Sequence, residues 1–225
     1  MTWYLSKAEL RRDASVNALA GILLPKENDQ RVTVTHKLLW MLFADGAERS
    51  RDFLWREAEP GHFLILSARV PEDRHNLFKL DHKPFAPVLS AGDELGFSLR
   101  ANPTVAIGGN KDAKIRGRRA DVVMNAIKDV AGDARAEART LAVQAAGAAW
   151  LEKQGAKHGF KIERVMADRY NVLSPPHRRE SMRIASLDFD GFLRVTDPDV
   201  FTAMLTAGLG RAKAYGCGLM LIRRV

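Results

Sequence analysis

Residues 208–218 read GLGRAKAYGCG, with glycines at 208, 210, 216 and 218 and the cations Arg211 and Lys213 between them. Glycine lets a backbone come close to a phosphate, and successive N–H groups form an anion-binding nest to which nearby cations add charge. The segment is no Walker loop, because Lys213 is followed by Ala214 where Ser or Thr would hold a magnesium ion. It is no dinucleotide motif either, since it follows a predicted helix and that motif follows a strand. One glycine is enough to end a helix, so the density here points to a nucleic-acid backbone.

Two further segments carry cations. Residues 111–119 (KDAKIRGRR) hold Lys111, Lys114, Arg116, Arg118 and Arg119 against one acid, and read as a solvated loop open to phosphate contact. Residues 175–183 (PPHRRESMR) place His177, Arg178, Arg179 and Arg183 between two strand candidates. A basic hairpin tip of this kind suits the groove of a structured RNA, with arginine as a bidentate reader of phosphate or guanine.

His36 is the remaining candidate for chemistry. The sequence predicts a helix over Val32–Phe43, capped by Thr33 or Thr35, which puts His36 in its first turn. The positive end of the helix dipole there disfavours imidazolium and leaves the ring available as a base near neutral pH. Its helical neighbours Leu39, Trp40 and Phe43 keep a second reading open, a half-buried structural histidine. His62, His75, His82, His158 and His177 show no metal-binding spacing, and Cys217 is the only cysteine. A dedicated metal site and an internal disulfide are therefore not expected.

The elements that must position these residues form two sets. Strands are predicted at Trp3–Leu5, Phe53–Trp55, Phe63–Val70 and Asn76–Phe85, with the His36 helix after the first. Pro84–Gly92 (PFAPVLSAG) marks a boundary. A second set follows: strands over Glu94–Arg100, Lys161–Val172, Ser181–Val195 and Gly216–Ile222, with helices over Ala134–Gly155 and Asp197–Leu205. The expected fold is α+β, two tandem ferredoxin-like (βαββαβ, RRM-like) halves at residues 1–88 and 93–225, with a C-terminal glycine-rich loop.

Charge separates the halves. Of 225 residues, the first 99 carry 13 basic and 14 acidic side chains, and the rest carry 22 and 13, so the net +8 resides wholly in the second part. A basic half beside a neutral one reads as a polyanion-binding surface. With 46% hydrophobic and 28% charged residues, the composition is that of a globular chain. No apolar run suits a membrane span and no signal peptide opens the chain, so a cytoplasmic location is expected.

The motif G-h-G-x-x-K-x-x-G-C-G-L at 208–219 (h apolar) resembles the glycine-rich loop of CRISPR-associated repeat-binding proteins, specifically the CasE-type endoribonucleases of type I-E systems. LRANP (Leu99–Pro103), the H-x-x-L-W-x-L-F run from His36 to Phe43, YLSK (Tyr4–Lys7) and RDFL (Arg51–Leu54) agree with it in order. The resemblance implies a metal-independent, cofactor-free RNase that cuts precursor RNA at the 3′ base of each repeat hairpin by 2′-OH attack. It further implies that the enzyme stays with the mature guide as a Cascade subunit.

His36 corresponds to the family's catalytic histidine, and Lys213 is placed against the scissile phosphate with Arg211 behind it. Lys37, Arg100, Gly208 and Gly210 join the basic segments as the expected RNA-binding surface. Some relatives carry a tyrosine three residues before the histidine, where this chain has Thr33. The expected partners are the repeat hairpin and other Cascade subunits, with no membrane, and the free protein is expected to be monomeric. The alternative is a non-catalytic RNA-binding module of the same fold.

Overall fold

The structure is a computed structural model that describes residues 2–13, 16, 18–44, 46, 50–108, 117–174 and 183–225. Of the expected RNA-binding residues, Lys111, Lys114, Arg116, His177, Arg178 and Arg179 lie outside the described residues.

Two four-stranded antiparallel sheets organise the chain. The first is built from β1 (Trp3–Leu10), β2 (Phe53–Glu59), β3 (His62–Ser67) and β4 (Phe78–Phe85), in the order β2-β3-β1-β4. The second is built from β5 (Glu94–Ala101), β8 (Phe160–Leu173), β9 (Ile184–Val195) and β10 (Met220–Arg224), in the order β10-β5-β9-β8. Each places its first strand in the centre between its third and its last. That order is the ferredoxin-like arrangement, present twice.

Helix α1 (Ala20–Leu23) is a single turn, and α2 (Asn28–Trp40) is the crossover of the first sheet. Alternation along β2 shows how one strand serves two cores. Phe53 and Trp55 face α2 and join Leu38, Leu39, Leu42, Ile65 and Phe78, whereas Leu54 points the other way, onto Leu66 and Leu219. Leu219 lies just before β10, so this smaller cluster joins the two sheets.

In the second half, α4 (Arg135–Gly155) and α5 (Pro198–Ala207) cover one face of the sheet, with Trp150, Leu151, Phe201 and Leu205 packed on Leu99, Leu187 and Phe189. Asp197 caps α5 by accepting from the Val200 N–H, and Pro198 occupies the first turn, where its missing N–H costs nothing.

The structure corrects several expectations. Helix α2 starts at Asn28 with Glu27 as its N-cap. Thr33 and Thr35 are therefore interior, and the Thr33 hydroxyl donates back to the Asp29 carbonyl at 3.2 Å. The first turn (Asn28–Arg31) is polar, so apolar periodicity begins only one turn later. His36 is thus no first-turn residue, and the dipole argument for it lapses.

Arg118 and Arg119 are not loop residues but exposed positions on β7 (Arg118–Asp121), which pairs with β6 (Thr104–Ile107) and leads into the short helix α3 (Val122–Ala126). The last strand starts at Met220 and not at Gly216, because positive φ at Gly216 and Gly218 is incompatible with an extended strand. In the first half, β3 and β4 are joined by residues 68–77 without a helix.

Candidate active site

His36 sits on α2, half-buried, against the first residue of β2: its ring and that of Phe53 have centroids 6.4 Å apart. One turn on, the Trp40 indole Nε1–H donates to His36 Nε2 at 3.2 Å. That bond requires a lone pair on Nε2, which puts the hydrogen of the neutral ring on Nδ1. Burial holds the imidazole below its ordinary pKa, and the charge of Arg51 depresses it further. The shift favours the neutral ring expected from the sequence, but its causes are burial and a neighbouring cation and not the helix dipole.

The glycine-rich loop meets this helix. Residues Lys213–Tyr215 form one 3-10 turn that packs on α2 and on β2. Ala212 precedes it in the left-handed region (φ 57°), and its flanking glycines also take positive φ. Two of them show why no side chain is tolerated. Gly208 ends α5 at φ 79°, and a Cβ there would stand 2.7 Å from Leu54 Cδ2. Gly218, at φ 96°, would place one 2.9 Å from the Leu209 carbonyl. The glycines foreseen as a phosphate cradle are thus needed first to fold the loop against β2 and upon itself.

Lys213 Nζ donates to the Ala207 carbonyl at 2.6 Å, holding the loop to the carbonyl end of α5. An ammonium has three donors, so two remain for a ligand. Burial lowers the Lys213 pKa and Arg51 lowers it further. Arg51 itself is half-buried and lowered by desolvation. One guanidinium therefore acts electrostatically on both His36 and Lys213, and Arg51 and Lys213 form a cationic group beside the His36 ring, drawn from the residues before β2 and from the glycine loop. Such a group neutralises the charge that builds on a phosphate under attack.

Sequence reasoning missed Arg51 as a site residue. Its signal was available, a cation placed just before the apolar run Phe53–Trp55 that packs under His36. Lys37 is exposed on α2, and Arg211 and Gly210 are exposed in the loop. Arg183 is exposed where β9 begins.

Arg100 is placed elsewhere. Its Nε and Nη2 donate to the two oxygens of Asp188, at 2.6 and 2.8 Å, and Asp188 is 2% exposed. Arg56 reaches across from β2, donating to Ser98 Oγ at 2.8 Å with its Nη2 3.6 Å from Asp188. This cluster bridges the two sheets beside the cationic group. Its arginine count was legible, but the buried carboxylate that organises it was not.

Cys217 is fully buried, and desolvation pushes its thiol up to about 12, which disfavours the reactive thiolate. Among the described residues no cluster of His, Cys, Asp or Glu could hold a metal ion, and no helix is long and apolar enough to cross a membrane.

The chain is 26% identical over 212 residues to the CRISPR system Cascade subunit CasE of Escherichia coli, covering 90% of this chain and 96% of that one. It is also 26% identical over 209 residues to the CRISPR-associated endoribonuclease Cse3 of Thermus thermophilus, covering 83% and 87%. The structure of Thermus thermophilus Cse3 bound to an RNA representing a pre-cleavage complex superposes with a TM-score of 0.68 at 23% identity, over 99% of this chain and 100% of that one. The family described as CRISPR associated protein matches residues 3–224, so essentially the whole chain, both sheets and the glycine loop included, belongs to the CRISPR-associated protein family.

Proposed function

We propose that this chain is a metal-independent, cofactor-free endoribonuclease that binds the hairpin of a CRISPR repeat RNA and cuts the precursor at the 3′ base of the stem. The observation that carries this reading is the packing of the turn that bears Lys213 against helix α2, which carries His36, and against β2, which Arg51 precedes. The names of its relatives support it: Cse3 is called an endoribonuclease and CasE a Cascade subunit.

In the reaction, the 2′-hydroxyl oxygen bonds to the adjacent phosphorus and the P–O5′ bond breaks. A 2′,3′-cyclic phosphate and a 5′-OH result, with one proton lost from O2′ and one gained by O5′. Lys213 and Arg51 neutralise the non-bridging oxygens of the pentacoordinate phosphorus, and His36 transfers a proton. Arg211, Lys37, Arg118, Arg119 and Arg183 contribute to the RNA-facing surface, as do the basic segments outside the described residues. The product stays bound as the guide within a Cascade assembly in the cytoplasm, and the free protein is monomeric. Residues 1–88 and 93–225 act as its two units.

The engagement of the His36 lone pair by Trp40 favours a second reading, a packed histidine in a non-catalytic RNA-binding module. Hairpin RNA incubated in EDTA separates the two. Cleavage is expected for the unmodified protein, none for RNA with a 2′-deoxy group before the cut, and a rate about 10²–10⁴ lower for His36→Ala. RNA affinity should change less than about threefold for that variant, since phosphate contacts dominate it. Binding without cleavage by the unmodified protein would establish the second reading.

A further inference from the structure

Beside the His36–Lys213 group, a polar cleft of about 230 Å³ opens between the edge strand β2 and the free face of the second sheet. Arg31 of α2, Trp55 and Glu57 of β2, Arg100 and Arg169 of the second sheet, and Tyr215 of the glycine loop contribute to its walls. Two features of its walls are unusual.

The first is a buried donor. Trp55 is 2% exposed, and its indole Nε1–H has no acceptor among the described residues. A buried donor left without a partner is rare in a folded protein and calls for an explanation.

The second is strained backbone. Arg169 has φ 50°, in the left-handed region that non-glycine residues seldom occupy. It sits where the register of β8 against β9 shifts between Asp168 and Asn171, a bulge in the strand. Bulges near functional sites re-aim a side chain that regular pleating would send elsewhere. Here the re-aimed group is a guanidinium whose side chain remains 72% exposed, its Nη1 3.8 Å from Asp188.

Charge selects the ligand class. Arg31 is engaged by Glu57 at 3.4 Å, whose carboxylate also accepts from the Gly61 N–H at 3.3 Å, and Arg100 is engaged by Asp188, so the exposed guanidinium of Arg169 is the cation the walls present to a ligand. What the cleft has to offer is donors and positive charge. Its position follows the reaction site: Tyr215 is two residues past Lys213, and Arg31 is five residues before His36, about 7.5 Å along the helix.

We propose that this cleft seats a second phosphodiester of the RNA, next to or one removed from the bond cleaved, with Arg169 as its principal contact. The inference rests on the reading of the chain as a repeat-RNA nuclease and deepens it. A strand gripped at two phosphates has a fixed register, so the cleft decides which bond reaches Lys213.

The test measures binding of hairpin RNAs with short single-stranded flanks to the full chain carrying His36→Ala, which keeps the RNA intact. A neutral methylphosphonate replaces one phosphate at a time around the cut. At one or two positions it should weaken binding about tenfold, the scale of a charge-assisted hydrogen bond. Arg169→Gln should weaken binding of the unmodified RNA by a similar factor and abolish the penalty at those positions only. Arg169→Gly should bind as weakly as Arg169→Gln yet melt no lower than the parent, because glycine relieves the positive φ.

A penalty from Arg169→Gln that is equal for every RNA in the series would overturn the proposal, leaving Arg169 a diffuse cation. Sensitivity at an abasic position, without sensitivity to any methylphosphonate, would also overturn it and make the cleft a base pocket. Failure of every hairpin RNA to bind would refute the underlying nuclease reading instead.

Discussion

Trp40 occupies the one lone pair of the neutral His36 ring, 3.2 Å away on the next turn of the same helix. Both proton-transfer roles conflict with that bond. A base needs a free ring nitrogen, and an acid needs the imidazolium, whose Nε2–H would face the indole N–H head-on. In this arrangement neither role is open to His36 until the pair separates. Trp40→Phe keeps the aromatic packing and deletes the donor. The His36 pKa, followed by NMR of the ring protons, should rise by about one unit or less, matching a net hydrogen bond of about 0.5–1.5 kcal/mol. Cleavage should remain within an order of magnitude of wild type. A pKa that stays put would mean the indole has no influence on the ring.

The acid limb of kcat/KM should fall below pH 6.5, the ordinary value for histidine, because burial and Arg51 lower the His36 pKa. The same shift has a consequence for stability. The unfolded chain binds the His36 proton more readily than the folded one, so folding free energy is lost as pH drops below about 6.5. His36→Phe should flatten that part of the stability profile. Unfolding by urea across pH 5 to 7 measures it, and an unchanged slope would count against a depressed His36.

Lys213→Ala should slow single-turnover cleavage at saturating protein by about 10–10³, with a smaller loss in binding, since electrostatic stabilisation acts chiefly on the transition state. Arg51→Gln should reduce the same rate by roughly tenfold or more and raise the His36 pKa, because it removes a positive neighbour. A wild-type rate at saturation in both variants would move the two cations to the binding surface.

Asp188→Ala leaves Arg56 and Arg100 facing each other across the sheet junction without their carboxylate. Removing one member of a buried ion pair costs about 3 kcal/mol or more, to be read as a lower urea midpoint at constant slope. A loss below about 1 kcal/mol would show that solvent reaches the arginines and compensates them.

Much of this was legible from residues alone. Alternation along β5 and β9 and the Asp197-Pro198 helix start each reflect local chemistry that survives tertiary packing. The sequence places the start of helix α2 a turn late because Asn28–Arg31 are polar and carry no apolar signal. The β6–β7 pair was hidden because β6 is only four residues long and Arg118 and Arg119 of β7 read as part of a charged loop. In the candidate site, Lys213 stood out by its place among the glycines and His36 by the resemblance of its helix to the family's. Arg51, Trp40 and Asp188 did not, because each matters through a partner distant in sequence or through a single orientation that only packing sets.

Gly208 rests on Leu54, and Leu54 in turn packs on Leu219, which immediately precedes the final strand. The loop bearing Lys213 is thus held between β2 of the first sheet and the approach to β10 of the second, so the position of Lys213 depends on both sheets at once.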